Sequence, residues 1–174
     1  MQRGRIVYLS GLTSTGKSSI VKVLQSRTDC LWCALGFDLF EETLPVWAAD
    51  DSALYAKAIR AMYAAAKSFS DQGLDVLIDG LLMDQPGLTP HGRAVEETFT
   101  GYPLTLVQVT CPMDILRRRN IARGDRRPDQ SEQQAGLVDP NAKYHLVLDT
   151  SARTPEQCAQ ALLDALRQQP QHMT

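Results

Sequence analysis

Residues 11–18 read GLTSTGKS and directly follow the apolar run RIVYLS at residues 5–10. The stretch has glycine, four variable residues and then Gly-Lys-Ser, a spacing in which backbone N–H groups and a helix N-terminus surround the phosphates of a nucleotide. The preceding run reads as a buried strand, and Ile20, Val21 and Leu24 recur at helical spacing after the loop. The sequence therefore predicts the strand, loop and helix that a phosphate-binding loop (P-loop) requires.

Each fixed residue of this loop has a physical role. Gly11 and Gly16 let the backbone approach an anion without a Cβ, and glycine tolerates positive φ. Lys17 is expected to contact the β- and γ-phosphates, and the Ser18 hydroxyl is the expected Mg²⁺ ligand. The alternative is an ordinary glycine-rich turn with a solvated lysine. The loop residues expected to bind ATP are Gly11, Thr13, Ser14, Thr15, Gly16, Lys17, Ser18 and Ser19.

Length and composition are those of one globular domain spanning residues 1–174. Hydrophobic residues make up 44% of the chain and charged residues 22%, with a formal net charge of −2. A protein whose main role is to coat nucleic acid usually has a basic excess, so no nucleic-acid partner is expected. No apolar run is long enough to span a membrane, and the first strand begins too close to Met1 to leave room for a signal peptide. We therefore expect a cytoplasmic protein without a membrane partner.

The sequence CLWC places Cys30 and Cys33 at redox-motif spacing. This stretch reads as part of an apolar strand, in which residues three apart face opposite sides. Free, reduced and mostly buried thiols are therefore favoured over a redox pair. A zinc site is disfavoured because no second Cys or His pair has suitable spacing.

Strand and helix patterns alternate along the whole chain. Strands are predicted at residues 5–9, 31–35, 74–79, 104–110 and 145–150, with helices between them at residues 17–27, 52–71, 93–99 and 112–123, and a last helix from Pro155. Thr154 as N-cap, Pro155 at the first helical position and Gln157 three residues after the cap mark the start of that helix. Such alternation predicts an α/β fold of the P-loop NTPase type, a three-layer sandwich with a five-stranded parallel sheet and helices on both faces.

Two carboxylates follow predicted strands at the edge of the sheet that carries the loop. Ligands in parallel sheets bind at the carboxyl ends of the strands. Asp79 is the candidate to support Mg²⁺ with Ser18, and Asp38 could accept the proton of an attacking hydroxyl. The structural alternatives are a helix N-cap for Asp38 and a turn-forming carboxylate for Asp79. Asp84, in the loop after the third strand, is a weaker candidate for the carboxylate role of Asp38. His91, in the same loop, could contact the substrate, and an ordinary loop histidine is the favoured alternative.

A basic cluster occupies residues 115–130, ILRRRNIARGDRRPDQ. Arg119 and Arg123 are four residues apart and should share a helix face, with Arg126 in the following loop. Arginines that close over a transferring phosphoryl group can stabilise its charge, so we expect Arg119, Arg123 and Arg126 to contact ATP and Arg123 to act in catalysis. A solvated helix face with surface ion pairs is the alternative. The polar run after Pro128 shows no clear period and is consistent with a flexible lid over residues 123–142.

Four stretches together resemble chloramphenicol phosphotransferase and its family of small P-loop kinases. They are RIVYLSGLTSTGKSSIVKVLQ, WCALGFDLFEETLP, DVLIDGLLMD and RRNIARGDR, in the order and approximate spacing of the family. The resemblance implies a fold similar to nucleoside monophosphate and shikimate kinases and the transfer of phosphate from ATP to a small-molecule hydroxyl. It also implies that Asp38 is the general base and that Arg119, Arg123 and Arg126 belong to a nucleotide-clamping lid.

The expected function is therefore that of an ATP- and Mg²⁺-dependent phosphotransferase that resembles the antibiotic-inactivating chloramphenicol enzyme. A kinase for another acceptor, such as a sugar acid, nucleoside or nucleotide, fits the residue patterns equally well. A nucleotide-binding module without catalysis is the alternative of a different class. A guanine-nucleotide switch is disfavoured because the sequence contains no Asn-Lys-x-Asp motif.

Overall fold

The computed structural model describes residues 2–48, 51–83 and 92–168. Its strands are β1 Ile6–Ser10, β2 Trp32–Gly36, β3 Asp75–Gly80, β4 Leu104–Thr110 and β5 Leu146–Asp149. Its helices are α1 Lys17–Ser26, α2 Phe37–Glu41, α3 Ser52–Asp71, α4 Gly92–Thr98, α5 Met113–Arg123, α6 Gln130–Ala135 and α7 Pro155–Gln168. A short 3₁₀ turn covers Val46–Ala48.

The five strands form one parallel sheet in the order β2-β3-β1-β4-β5. Strand β1 lies at the centre, hydrogen-bonded to β3 on one side and β4 on the other. All five of its residues are buried, as expected for a short apolar strand covered on both faces. The predicted parallel sheet is confirmed, and its topology brings the ends of β1, β2, β3 and β5 to one edge.

The core has two halves, one on each face of the sheet. Alternate side chains of β1 face opposite halves of the core. Val7 and Leu9 pack with α1 and α7, whereas Ile6 and Tyr8 pack with α3. This division follows from the period of two in a strand. The three layers predicted from the alternation of strands and helices are thus present.

The start of α7 follows its sequence signal closely. The Thr154 hydroxyl accepts a hydrogen bond from the Gln157 backbone N–H at 3.3 Å, and the Gln157 side chain accepts one from the Thr154 N–H at 2.9 Å. These reciprocal bonds form a capping box and satisfy two N–H groups that the helix leaves unpaired. The cap fixes where the chain turns after β5.

Two helices, α2 and α6, are absent from the sequence prediction. Both are short, with five and six residues, and neither contains two full turns in which an apolar period could be read. Asp38 consequently lies in the first turn of α2, after its N-cap Gly36. The N-cap alternative for Asp38 is therefore wrong.

The cysteines are free, but most of them are not buried. Cys158 is buried, whereas Cys30, Cys33 and Cys111 are partly exposed. Cys30 precedes β2, because the strand begins only at Trp32. The expectation of free thiols is confirmed for all four cysteines, but only Cys158 is fully buried, whereas Cys30 and Cys33 pack against the two halves of the core while partly exposed.

No helix in the described parts of the chain is long and apolar enough to cross a bilayer.

Candidate active site

The P-loop runs from the end of β1 to the start of α1 and has a tightly constrained backbone. Gly16 adopts φ +97° and Ser14 adopts φ +59°, a region that residues with a Cβ rarely enter. A Cβ at Gly11 would lie 2.4 Å from the Val109 carbonyl oxygen. The glycines therefore stand where a side chain would strain the loop or collide with β4.

Lys17 folds back over the loop that precedes it. Its Nζ donates to the carbonyl oxygens of Gly11 at 2.7 Å and Leu12 at 3.1 Å, and lies 3.6 Å from Asp79 Oδ1. Its side chain is only 11% exposed. Burial lowers the pKa of Lys17, while the nearby Asp79 and Asp38 carboxylates oppose that effect. The result is a shielded cation at the mouth of the loop.

Ser18 and Asp79 meet directly across the sheet edge. The Ser18 hydroxyl donates to Asp79 Oδ2 at 2.7 Å. A hydroxyl and a carboxylate side by side are the oxygen ligands that Mg²⁺ prefers. These two residues, predicted as metal ligands from their sequence positions, thus lie close enough to serve one ion.

Arg119 fastens α5 to the loop. Its guanidinium donates to the Ser14 carbonyl at 3.2 Å, and to the side chain and carbonyl of Thr150, both at 3.0 Å. The Thr150 hydroxyl in turn donates to the Thr15 carbonyl at 2.6 Å. The residue after β5 therefore links the loop to α5.

Asp38 lies on the opposite wall from the loop and is paired with a basic residue. Arg126 donates from its NH2 group to Asp38 Oδ2 at 2.8 Å. The Asp38 side chain is 70% exposed, so water and a substrate can both reach it. Arg123 is paired with Asp125, with contacts of 3.0 and 3.1 Å. Arg123 and Arg126 thus reach the cleft, and Arg126 reaches the candidate base.

Helix α6 contacts the loop from the solvent side. Its Gln134 side chain accepts a hydrogen bond from the Thr13 N–H at 2.7 Å, and the Ser131 hydroxyl donates to the Thr13 carbonyl at 3.3 Å. The mobility expected for residues 123–142 stays a prediction, but residues 130–135 form a helix bonded to the P-loop.

All these walls enclose one open cleft of about 820 Å³. The loop and Arg119 line one end, and Asp38, Glu41 and Tyr55 line the other, where Arg126 contacts Asp38. Partial burial and the neighbouring Asp38 raise the pKa of Glu41, and burial raises the pKa of Tyr55. Each end of the cleft therefore has a carboxylate beside a cation, Asp79 with Lys17 and Asp38 with Arg126. The predicted site residues that line it are Gly11, Thr13, Ser14, Gly16, Lys17, Ser18, Ser19, Asp38, Asp79, Arg119, Arg123 and Arg126.

Some expected positions lie elsewhere. Thr15 is 1% exposed and its hydroxyl donates to the Leu12 carbonyl at 2.8 Å, so its side chain shapes the loop from behind. Trp47, in the 3₁₀ turn after α2, is 80% exposed and is not among the cleft residues. Asp84 and His91 lie outside the described residues.

Sequence reasoning missed several residues of the cleft. Tyr55 belongs to an apolar helical stripe that reads as core, and Glu41 and Gln134 lie on helices too short to recognise. Thr150 stands directly after β5, so the rule that sites form at the carboxyl ends of parallel strands could have found it. The same rule did indicate Asp38 and Asp79.

A P-loop at the centre of a five-stranded parallel sheet, with arginines from α5 and the loop after it and a carboxylate in the same cleft, defines a P-loop phosphotransferase. Residues 4–167 match the family model described as "Chloramphenicol phosphotransferase-like protein". The chain belongs to this family, and the resemblance read from the sequence is confirmed.

Curated relatives carry a compatible description. A protein found in two Mycobacterium tuberculosis strains, CDC 1551 and H37Rv, and provisionally named an O-phosphotransferase, is 26% identical over 99% of this chain and 87% of its own length.

Several solved structures, kinases among them, share the fold. The Mycobacterium tuberculosis APS kinase CysC, determined with AMPPNP and APS, superposes with a TM-score of 0.74 at 19% identity, covering 96% of this chain and 99% of that one. Shikimate kinase from Bacteroides thetaiotaomicron gives 0.65 at 15% identity, covering 94% and 98%. The tunicamycin resistance protein of Deinococcus radiodurans gives 0.65 at 14% identity, covering 94% and 96%. The predicted kinase-like fold is therefore confirmed.

Proposed function

We propose that this protein transfers the γ-phosphoryl group of ATP to a hydroxyl group of a small molecule. One observation carries the proposal: the P-loop lysine and the solvent-accessible Asp38 line the same cleft of about 820 Å³. A cleft of this size accommodates a nucleotide together with a small acceptor. The curated relatives described as O-phosphotransferases, and the APS kinase structure that contains the ATP analogue AMPPNP, support the same reaction class.

The residues divide the chemistry between the two ends of the cleft. Backbone N–H groups at the start of α1 and the Lys17 ammonium hold the phosphates. Asp38 takes the proton of the acceptor hydroxyl, whose oxygen forms a bond to the γ-phosphorus. The bond between that phosphorus and the bridging oxygen breaks, and ADP leaves with the electron pair. Arg123 and Arg126 stabilise the negative charge that spreads over the phosphoryl oxygens.

Ser18 and Asp79 are the residues that would hold Mg²⁺, because a hydroxyl and a carboxylate 2.7 Å apart are oxygen ligands suited to this ion. Bound Mg²⁺ would neutralise charge on the β- and γ-phosphates during transfer. The described residues contain no group of three or more His, Cys, Asp or Glu side chains able to hold a metal. Phosphate and water oxygens would therefore complete the coordination, as is usual for Mg²⁺ at nucleotide sites.

Chloramphenicol is the first acceptor to test, because the chain belongs to the chloramphenicol phosphotransferase-like family. Phosphorylation of its hydroxyl would make the protein an antibiotic-inactivating enzyme of the cytoplasm, where ATP is available. Sugar acids, nucleosides and nucleotides are the other acceptor classes that the site chemistry allows.

The test is ADP release from ATP and Mg²⁺ with a panel of chloramphenicol, aminoglycosides, nucleosides, nucleotides and hydroxy acids. The wild type should show turnover that depends on one acceptor class. Asp38→Asn should lower kcat by about 10²- to 10⁴-fold while the affinity for ATP changes little. Asp114→Asn, on the exposed face of α5, is the matched control.

Turnover that persists unchanged in Asp38→Asn would remove Asp38 from its role as base. Tight ATP binding without turnover on any acceptor would instead favour a nucleotide-binding module without catalysis.

A further inference from the structure

The P-loop is held from its solvent side by a helix that the motif itself does not include. Both backbone groups of Thr13 are bonded to α6, the N–H to Gln134 at 2.7 Å and the carbonyl to the Ser131 hydroxyl at 3.3 Å. Residues three apart on a helix share a face, so one side of α6 presents both partners. Because the N–H of Thr13 is a donor, the Gln134 atom that faces it must be the amide oxygen.

Helix α6 is itself fixed to α5. Asn120 donates to the Ser131 hydroxyl at 2.9 Å and to the Pro128 carbonyl at 3.3 Å. Asn120 and Ser131 are fully buried, and buried hydrogen bonds of this kind are costly to break. Arg117 also donates to Glu132 at 2.9 Å. Helix α6, which contacts Thr13, is therefore itself held in place by α5.

This part of the loop needs such a support. Ser14 holds a positive φ that costs free energy for a residue with a Cβ, and its carbonyl is bonded to Arg119 from α5. On the sheet side, the loop entry is held by the Gly11 N–H bonded to the Gly80 carbonyl at 3.3 Å. Residues 13–14 thus take their contacts from α5 and α6, away from the sheet.

We propose that Gln134 is a positioning residue for nucleotide binding: its amide oxygen fixes Thr13, and through it the P-loop, in the conformation that receives phosphate. The inference rests on the proposed ATP-dependent function. A loop ordered in advance loses less conformational entropy when the ligand binds. Gln134 acts through Thr13, so its effect falls on nucleotide affinity and leaves the chemistry at Asp38 unchanged.

The test compares three variants of the full chain. Gln134→Met keeps the length of the side chain but removes the acceptor, whereas Gln134→Glu keeps an acceptor oxygen. Gln133→Met is the matched control, because the exposed Gln133 side chain donates to Asp129 at 2.8 Å and does not line the cleft. Hydrogen exchange of loop peptides without nucleotide, and affinity for a fluorescent ATP analogue, are measured for each.

Gln134→Met should speed exchange at Thr13 and weaken binding of the ATP analogue by about three- to tenfold, the effect of one hydrogen bond. KM for the acceptor should stay within about twofold, since its end of the cleft is untouched. Gln134→Glu should restore slow exchange, although its charge disfavours phosphate. Gln133→Met should match the wild type in both measurements.

Unchanged exchange and affinity in Gln134→Met would overturn the inference, as would equal losses in Gln133→Met, which would indicate general loosening of α6. The exchange measurement needs no turnover. If the Thr13 effect appears while the wild type transfers no phosphoryl group to any acceptor, the support of the loop stands and the proposed phosphotransfer fails.

Discussion

The two ends of the cleft are built in different ways. At the phosphate end, Lys17, Ser18 and Arg119 each have partners within 3.2 Å, and Lys17 is largely shielded. At the proposed acceptor end, Asp38 is 70% exposed and its described side-chain partner is Arg126, from the loop after α5. The phosphate end is therefore organised in advance, whereas the acceptor end depends on one contact that crosses the cleft.

This difference matches what each end must do. Phosphate binding benefits from donors that are already in place, because their reorganisation would oppose binding. A general base must exchange protons and admit different partners, so an exposed carboxylate with a replaceable ion pair is suitable. With such an arrangement, enzymes that share this fold could transfer phosphate to different acceptors when only the acceptor end of the cleft differs.

Lys17→Ala should give the largest effect at the preorganised end. The variant loses the cation that faces the β- and γ-phosphates, and we expect kcat/KM for ATP to fall by about 10²- to 10³-fold. Steady-state kinetics with ATP varied is the measurement, and Lys22→Ala, on the exposed side of α1, is the control. Equal activity in Lys17→Ala and the wild type would contradict the P-loop assignment.

Arg126→Met should give a smaller loss that lies mostly in kcat. The guanidinium pairs with Asp38, so its removal alters the base and removes charge stabilisation, with an expected decrease of about 10- to 100-fold. Arg118→Met is the matched control, because Arg118 is an exposed residue of α5 paired with Asp114. A loss confined to ATP affinity would instead place Arg126 wholly at the phosphate end.

The pH dependence should report on Lys17. Burial lowers the pKa of Lys17 from the ordinary lysine value of 10.5. As the pH rises, kcat/KM for ATP, which reports the free enzyme, should therefore begin to decline below that value. Bound phosphates favour the charged lysine, so the decline in kcat should occur at higher pH. Between the lowered pKa of Lys17 in the folded protein and its ordinary pKa in the unfolded chain, the unfolded chain binds more protons. The free energy of unfolding should therefore rise with pH between these two values. A decline at the ordinary lysine pKa would contradict this assignment.

Thr154→Ala should leave activity unchanged and give the smallest effect. It removes the side-chain cap of α7, and Thr154 itself does not line the cleft, although Arg153 and Pro155 do. The loss should cost about 1 kcal/mol of stability, which corresponds to about 2–4 °C in Tm for a domain of this size. Thermal unfolding measures the shift, with Ser151→Ala in the preceding turn for comparison. A parallel loss of kcat would mean that the cap is needed to hold Arg153 and Pro155 in the cleft wall.

The sequence predicted most of the scaffold because long periodic segments carry strong signals. The bounds of α3 and β4, residues 52–71 and 104–110, agree with the structure, and the strand-end rule indicated Asp38 and Asp79. The contacts of Gln134 and Tyr55 could not be predicted, because they depend on how a six-residue helix docks and how α3 rotates. The burial of Thr15 likewise depends on a hydrogen bond within the loop that the motif does not encode.

The contrast between the two tryptophans gives the protein a built-in optical probe. Trp32 is 5% exposed beneath Arg5, and Trp47 is 80% exposed in the 3₁₀ turn that follows α2. Emission from Trp32 should therefore resist aqueous quenchers such as iodide, while Trp47 should emit at longer wavelength and be quenched readily. Trp47 follows the helix that carries Asp38. A change in fluorescence confined to the fraction quenched by iodide would therefore allow acceptor binding to be followed without any label.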